Sequence, residues 1–327
     1  MVTVFVIGGC YAPTLPVGIM CDPQAPHCPR GQTCTTGATG ATCETGAGGG
    51  PFDAPADDAL PIDGRPDAPA IDAAMPDGAV ALDSDGDTVL DAVDNCVMRP
   101  NTNQYNEDGD RFGDVCDPCP PVANDNPPDG DGDGVADACD PRPTLGGDSI
   151  LMFEGFQAGL PTTGWTKVGA WSAAGGTVSG DAMGGKAMLI VAGSTTGRLT
   201  VSTSMRMDAI PATGDAAAGI VDAYDTVANT GIYCHLTTWG AANTPLVINA
   251  VASAGTVLDT SAFDIVPGTT YALSSRRDDN ARSCIGSHGG TTATATGTST
   301  VSATLPNVGL RMVHTKATYA WLMVVTN

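Results

Sequence analysis

The sequence predicts a mainly β protein: a C-terminal β-sandwich preceded by an irregular acidic repeat stalk and a disordered linker. Three observations lead there. From residue 149 onward, about a dozen short stretches rich in Val, Thr and Ile alternate with Gly, Asn, Asp and Pro turns, and no helical period is sustained. Residues 83–147 carry 16 acidic side chains against 3 basic ones, a balance that no apolar core can be built around. The whole chain holds 42 Gly and 24 Pro with only 5% aromatic residues, so apolar material sufficient for a core exists only in the C-terminal part.

The charge distribution bounds the partners. The 327 residues carry a net charge of −22, and the segment 83–147 alone carries −13 of it. Such a density repels itself unless neutralised. It also excludes nucleic acid, because phosphate recognition requires the opposite sign. What remains is a choice between a solvated acidic tail and a cation site. The eleven cysteines, at 10, 21, 28, 34, 43, 96, 116, 119, 139, 234 and 284, fall in clustered spacings that fit an oxidising compartment.

In chain order, residues 1–10 come first. A short apolar run ends in Ile7-Gly8-Gly9-Cys10, which resembles a bacterial lipobox. The resemblance implies a signal segment over 1–10, diacylation of Cys10, and membrane contact only through that lipid anchor. It also implies a location at the cell surface or outer membrane, or secretion. No Lys or Arg precedes the run and it is short for a signal peptide; a start codon placed too far downstream would account for both. Lipidation of Cys10 leaves an even ten cysteines. No other segment approaches the ~20 apolar residues of a membrane span.

Residues 11–43 form a small cysteine-rich module. Cys21, Cys28, Cys34 and Cys43 sit among Pro, Gly and Thr, so two disulfides are expected to replace a core. Three pairings are open. A zinc site is the rival, but no Cys-x-x-Cys pair is present. Residues 44–82 then become Gly, Ala, Pro and Asp, with Asp53-Ala-Pro-Ala and Asp67-Ala-Pro-Ala recurring. That composition cannot bury enough surface to fold. A tether reaching up to about 120 Å at ~3.1 Å per residue is expected.

The acidic segment is an internal repeat. Cys96 and Cys116 are 20 residues apart, as are Cys119 and Cys139, and a shift of 23 superimposes the pairs. Asn101, Asn106, Asp108, Asp110 and Asp114 then fall on Asn124, Asp129, Asp131, Asp133 and Asp137. A partial unit lies upstream: Asp83-Ser-Asp85-Gly-Asp87, followed by Asp91, Asp94 and Cys96. Calcium takes six to eight oxygen ligands, and carboxylates two residues apart in a tight turn converge on one ion. Interspersed glycines (Gly86, Gly109, Gly130, Gly132) permit such turns. An EF-hand does not fit, since helical flanks and the glutamate at the twelfth loop position are missing. The expected calcium ligands are the acidic and amide residues already named, together with Asp117 and Asp140.

These residues resemble thrombospondin type 3 repeats, through Asp94-Asn95-Cys96 and Gly113-Asp114-Val115-Cys116-Asp117. The resemblance covers 83–140. It implies a string of calcium ions wrapped by nearly structureless chain, with Cys96–Cys116 and Cys119–Cys139 as local bridges. Thr88 and Arg111 stand where glycine is usual, Asn106 replaces an Asp, and Pro127-Pro128 interrupts the last unit.

In the domain 148–327, Leu199, Val201, Thr203, Met205 and Met207 alternate with polar residues, as do Ile232, Cys234 and Leu236, and Tyr271 with Leu273. Tyr319 to Val325 reads as a strand buried on both sides. Leu151-Met-Phe-Glu-Gly-Phe156 with Gly164-Trp165, Pro267-Gly268 through Leu273, and Val308-Gly-Leu310-Arg resemble a concanavalin-like or laminin G-like jelly roll. Cys234 and Cys284 are expected to bridge neighbouring strands. Glycosidases of this fold resemble one another in a Glu-x-Asp-x-x-Glu strand that flanks the scissile bond with carboxylates. Glu154 is the domain's lone glutamate, so no enzyme is expected. Gly180 to Lys186 mimics a phosphate loop until Ala187, where Ser or Thr is required, and reads as a turn. His235, His288 and His314 are scattered. Trp165, Trp171, Trp239 and Tyr224 are candidates for sugar stacking, with core packing the favoured role. The expectation is a calcium-binding exported surface protein, serving adhesion or the binding of a glycan or extracellular protein ligand. A carbohydrate-active enzyme with an unrecognised site and a purely structural envelope protein are the alternatives.

Overall fold

Alternation of apolar and polar side chains sets the strands, and glycine pairs set several of their turns. The computed structural model describes residues 33–37, 40–44, 82–193, 198–211, 214–239, 245–251, 255–299 and 307–326. The lipidation expected at Cys10, the residues Cys21 and Cys28, and the linker from 45 to 81 lie outside these. The chain divides into two units, 1–75 and 76–327.

In the first unit, β1 (Thr33–Gly37) and β2 (Gly40–Glu44) form an antiparallel hairpin. Its register sets Cys34 opposite Cys43.

In the second unit, fifteen strands follow residue 148. In chain order they are β3 (Ser149–Glu154), β4 (Trp165–Val168), β5 (Ala170–Ala174), β6 (Thr177–Asp181), β7 (Lys186–Ala192), β8 (Arg198–Ala209), β9 (Asp215–Asp225) and β10 (Thr230–Trp239). Then come β11 (Pro245–Val251), β12 (Gly255–Ala262), β13 (Thr270–Asp278), β14 (Ala281–His288), β15 (Thr291–Thr298), β16 (Asn307–Val313) and β17 (Lys316–Thr326). One sheet runs β12-β11-β10-β9-β16-β7-β4 and the other β15-β14-β13-β8-β17-β6-β5, with β3 paired beside β17. All pairings are antiparallel. The two sheets stack as the expected jelly-roll sandwich, and no helix occurs among the described residues.

Turn chemistry agrees with the pairing. Gly175-Gly176 joins β5 to β6 and Gly289-Gly290 joins β14 to β15, each as a two-residue loop with φ of +57° and +72°, and of +55° and +80°. Positive φ at both positions is the hairpin geometry that glycine adopts without steric cost. The phosphate-loop mimic is indeed a turn, closed by Gly185 N–H donating to the Ala182 carbonyl at 2.9 Å.

The core lies between the sheets. Leu199, Val201, Met205 and Met207 of β8 face Ala218 and Ile220 of β9, Leu310 and Met312 of β16, and Leu236 of β10, all essentially inaccessible. Burying each large apolar side chain contributes about 1.5–3 kcal/mol. Tyr319 reaches across from β17: its hydroxyl accepts from Gly219 N–H (3.1 Å) and donates to the Arg311 carbonyl (2.8 Å). Cys234 and Cys284 are bonded as expected, with Cα atoms 5.3 Å apart. Their strands are not neighbours in one sheet, however. β10 and β14 belong to opposite sheets, so the bridge pins the two layers together through the core. A period-two pattern places both cysteines inward and leaves open which sheet each strand joins.

Residues 82–148 contain neither helix nor strand and consist of bends and turns stapled by Cys96–Cys116 and Cys119–Cys139. This module packs on the sandwich. Arg276 Nη1 donates to the Pro141 carbonyl at 3.0 Å, and Gln157 Nε2 to Glu107 Oε2 at 3.1 Å.

Candidate functional site

The module is built from one local design used three times. In each unit the first acidic or amide position folds the loop: Asp83, Asn106 and Asp129 accept from the N–H of Gly86, Gly109 and Gly132 at 2.8, 2.6 and 2.8 Å. Those three glycines have φ near +80°, the left-handed region that glycine enters without strain. The third position ties the loop to chain 14 residues ahead. Asp87, Asp110 and Asp133 accept from the N–H of Asn101, Asn124 and Gly147 at 2.6, 2.8 and 2.9 Å. Asp91, Asp114 and Asp137 accept from Ser84, Glu107 and Gly130, seven residues back, at 2.7, 2.7 and 2.8 Å. Asp94, Asp117 and Asp140 each cap the next turn, with Cys96, Cys119 and Arg142 N–H as donors. The backbone of a segment without ladders is thus satisfied by its own carboxylates.

Where a usual glycine is missing, the geometry shows the consequence. Thr88 takes φ +81° and donates to Asp83 Oδ2, as Gly134 does to Asp129 Oδ2. Arg111 stays out of the left-handed region and donates instead to Asp125 Oδ1 at 2.9 Å. Gly113 is required for packing: a Cβ there would collide with the side chain of Asn95. Its counterpart in the next unit is Ala136, where Pro118 stands in place of Asn95.

Four groups of carboxylates converge, each with oxygens within 4.8 Å of one another: Asp83/Asp85/Asp87, Asp108/Asp110/Asp117, Asp129/Asp131/Asp133 and Asp133/Asp140/Asp148. The oxygens left over by the backbone bonds are the informative ones. Asp85 Oδ2, Asp94 Oδ2, Asp108 Oδ2, Asp140 Oδ2 and both oxygens of Asp131 are buried with no hydrogen-bond partner. Buried carboxylate oxygens without donors cost free energy that only a cation or a proton offsets. In the chain alone, burial pushes Asp117 and Asp140 up to about 6, against the N–H bonds that each accepts. Burial likewise raises Asp85 and Asp108.

Of the expected ligands, ten fall within these groups, and Asp94 adds an orphaned oxygen beside the first. Asn106 occupies the same loop position as Asp83 and Asp129. Asp91, Asp114 and Asp137 close the loops through backbone bonds and stand outside the groups. Asn101 and Asn124 donate backbone N–H bonds, and Asn101 Nδ2 also binds Asn95 Oδ1 at 2.7 Å. Sequence reasoning missed Asp148. It lies beyond the last cysteine, where the shift of 23 sets it on Asp125, and pairs with Arg142 at 2.8 Å while completing the fourth group.

On the sandwich, the sugar-stacking candidates are packed inward. Trp165 meets Phe156 edge-on, ring centroids 6.3 Å apart, and Trp171 lies against Tyr319 at 6.1 Å. Tyr224 is buried and donates to Asn229 Oδ1. The side chain of Trp239 lies outside the described residues. His288 and His314 give their Nδ1 protons to the carbonyls of Thr270 and Asp215. His235 is 5% exposed, stacks on Tyr233 at 6.4 Å, and is pushed down to about 3 by burial and by Arg311. Arg311 sits 4.4 Å over the Tyr233 ring. Between the sheets, Arg282 Nε lies 3.6 Å from Asp222 Oδ2 with both side chains fully enclosed, and Arg277 is buried nearby. Burial raises Asp222, opposed by the two guanidiniums. Glu154 accepts from Phe156 N–H at 2.9 Å.

No family model matches the chain, and no curated protein matches it. Solved structures similar to it include a GH43 protein, BlXynB, of Bacillus licheniformis, at 13% identity and a TM-score of 0.44 over 56% of this chain and 40% of that one. Another is the carbohydrate-binding module CBM66 of Bacillus subtilis, at 15% identity and 0.39 over 48% of this chain and 92% of that one. Peanut lectin is similar at 14% identity and 0.41, over 55% of this chain and 98% of that one. The chain spans about two fifths of the length of the GH43 structures. At these identities and scores the likenesses say nothing of ligand or activity for this chain.

Proposed function

We propose that residues 83–148 are a calcium-ordered module of the thrombospondin type 3 kind, mounted on a non-catalytic β-sandwich that binds a ligand outside the cell. The observation that carries the cation reading is the set of buried carboxylate oxygens left without donors, one or more in each of the four groups. Asp83, Asp85 and Asp87 would hold one ion, and Asp108, Asp110 and Asp117 a second. Asp129, Asp131 and Asp133 would hold a third, and Asp133, Asp140 and Asp148 a fourth. Every donor in these groups is a hard oxygen, with no His and no free thiolate, which favours calcium or magnesium over transition metals. Flexible loops with many oxygens favour calcium, since magnesium demands a tight octahedron. The bound ions supply charge neutralisation that lets the seventeen carboxylates of residues 83–148 occupy so short a chain.

Three bridges in the described residues support an oxidising compartment. Anchoring through Cys10, and with it a surface location, is part of the same proposal. Non-catalysis rests on the single glutamate of the sandwich, Glu154, and on histidines that serve as backbone donors or lie buried. Adhesion is the function such an arrangement serves best: a rigidified module presenting a binding domain at the end of a long tether.

Limited proteolysis of the full chain tests the reading. In calcium, residues 83–140 should resist cleavage; in chelator they should be cut. An identical digestion pattern in the two conditions would remove the cation from the account.

A further inference from the structure

Between the module and the outer face of the eight-stranded sheet lies a cleft of about 440 Å³, within the roughly 300–1,000 Å³ range of small-ligand sites. Its floor is set by strand order. β13, β8 and β17 are adjacent, so their outward residues form rows across the sheet: Met323, Ser202 and Ser274 in one, and Thr200 beside Arg276 in the next. Trp321 stands at the neighbouring position of β17. The opposite wall is the chain from Ala138 to Pro141, held to the floor by the bond from Arg276 to the Pro141 carbonyl.

Several groups here are incompletely used. Thr200 is 7% exposed, yet its hydroxyl has no hydrogen-bond partner. That hydroxyl is itself covered, so it lies beneath the accessible floor of the cleft. Ser202 reaches Ser274 only at 3.4 Å, which leaves both hydroxyls available to a better partner. Trp321 is half-buried, with one ring contact to Phe153 at 6.2 Å.

We propose that this cleft binds a neutral saccharide, with Trp321 as the stacking surface, the Ser202 and Ser274 hydroxyls as mixed donors and acceptors, and Arg276 as an added donor. The chemistry selects that class. A hydroxyl serves as donor and acceptor at once, matching a ligand whose own groups are hydroxyls. Trp offers an apolar face with a polar edge. The floor strands are paired on both sides, so no free edge exists for an extended peptide to join. The lining holds one guanidinium, Arg276, and one carboxylate, Asp140, so it presents no cationic cluster of the kind that selects phosphorylated or sulfated ligands. The inference deepens the ligand-binding role proposed for the sandwich. Because the wall includes Asp140, it also rests on the cation reading.

The test is calorimetric titration of the full chain in calcium with a panel of neutral hexasaccharides: cellohexaose, xylohexaose, mannohexaose and laminarihexaose. At least one should bind, and Trp321→Ala should weaken it by about ten-fold or more. Ala272→Trp, at an exposed position of the same cleft, should block it while leaving the melting temperature unchanged. No binding by any of the four, or equal binding by wild type and both variants, overturns the proposal. Repeating the titration in chelator separates the two readings. Loss of binding together with cleavage of the module is expected. Binding that persists with an uncleaved module overturns the cation reading and leaves the cleft assignment standing.

Discussion

Replacing Asp131 with Asn separates what a carboxylate does for the bare module from what it does for a bound ion. Neither of its oxygens has a hydrogen-bond partner, and both are buried, so the backbone loses nothing in the exchange. In chelator the substitution removes one of three carboxylates whose oxygens lie within 4.8 Å. At an effective dielectric near 20, one such repulsion amounts to roughly 3 kcal/mol, less where water screens it. The chelated variant should therefore melt at the same temperature as wild type or higher. In calcium the sign reverses. A ligand that binds only the folded state stabilises it by about 2.7 kcal/mol at a hundred times its Kd. A variant whose third site is a hundred-fold weaker forfeits about that much. For a unit of this size that is a drop of roughly 5–10 °C. Paired calorimetric scans of wild type and variant, with and without calcium, read both arms. Equal destabilisation in the two conditions would mean that Asp131 acts through the fold alone, and the cation account of this group would be wrong.

The sandwich offers three further tests. Asp222→Ala leaves Arg282 enclosed without its carboxylate and should cost about 3–5 kcal/mol in urea unfolding; a loss below about 1 kcal/mol would show the pair to be incidental. His235 is held neutral, near 3, against about 6.5 in the unfolded chain. As pH falls below 6.5 the unfolded state binds the proton first, so stability should decline by about 1.4 kcal/mol per unit toward 3 and stay unaffected above 6.5. His235→Gln should flatten that part of the profile, and an unchanged slope would place the titration elsewhere. Replacing Cys234 and Cys284 by Ser opens a 50-residue separation and should cost about 4 kcal/mol of stability against denaturant, without altering the module's calcium response.

Much of this architecture was legible because period-two patterns report sheet faces directly. Leu199 to Met207 and Tyr271 to Leu273 land on the inner face as read. The pattern does not say which sheet a strand joins, so the neighbouring strands expected for Cys234 and Cys284 prove to be strands of opposite sheets, facing each other across the core. The repeat was legible as chemistry: Asp83, Asp108, Asp131 and their partners converge because acidic residues two apart in glycine turns do so. The division of labour among them was not. That Asp91, Asp114 and Asp137 hold backbone while Asp85 and Asp131 keep free oxygens depends on contacts seven and fourteen residues away, which spacing alone does not encode. Asp148 falls on Asp125 under the shift of 23, but it lies beyond the last cysteine frame, and only the fold shows Asp133 accepting from its N–H. The docking of the module over β8, β13 and β17 left no trace in the sequence beyond the Ser and Thr on outward positions, which read as ordinary solvent-facing residues.

A direct count of bound ions tests the cation account most plainly. Full-length protein stripped with chelator, dialysed against about 1 mM calcium (the upper range of extracellular calcium modules) and weighed by native mass spectrometry should carry four calcium ions per chain, one for each converging carboxylate group. Asp148→Asn should remove the fourth and Asp85→Asn the first, each leaving the other three. A chain that retains no calcium under these conditions, and whose mass is the same before and after dialysis, would contradict the account.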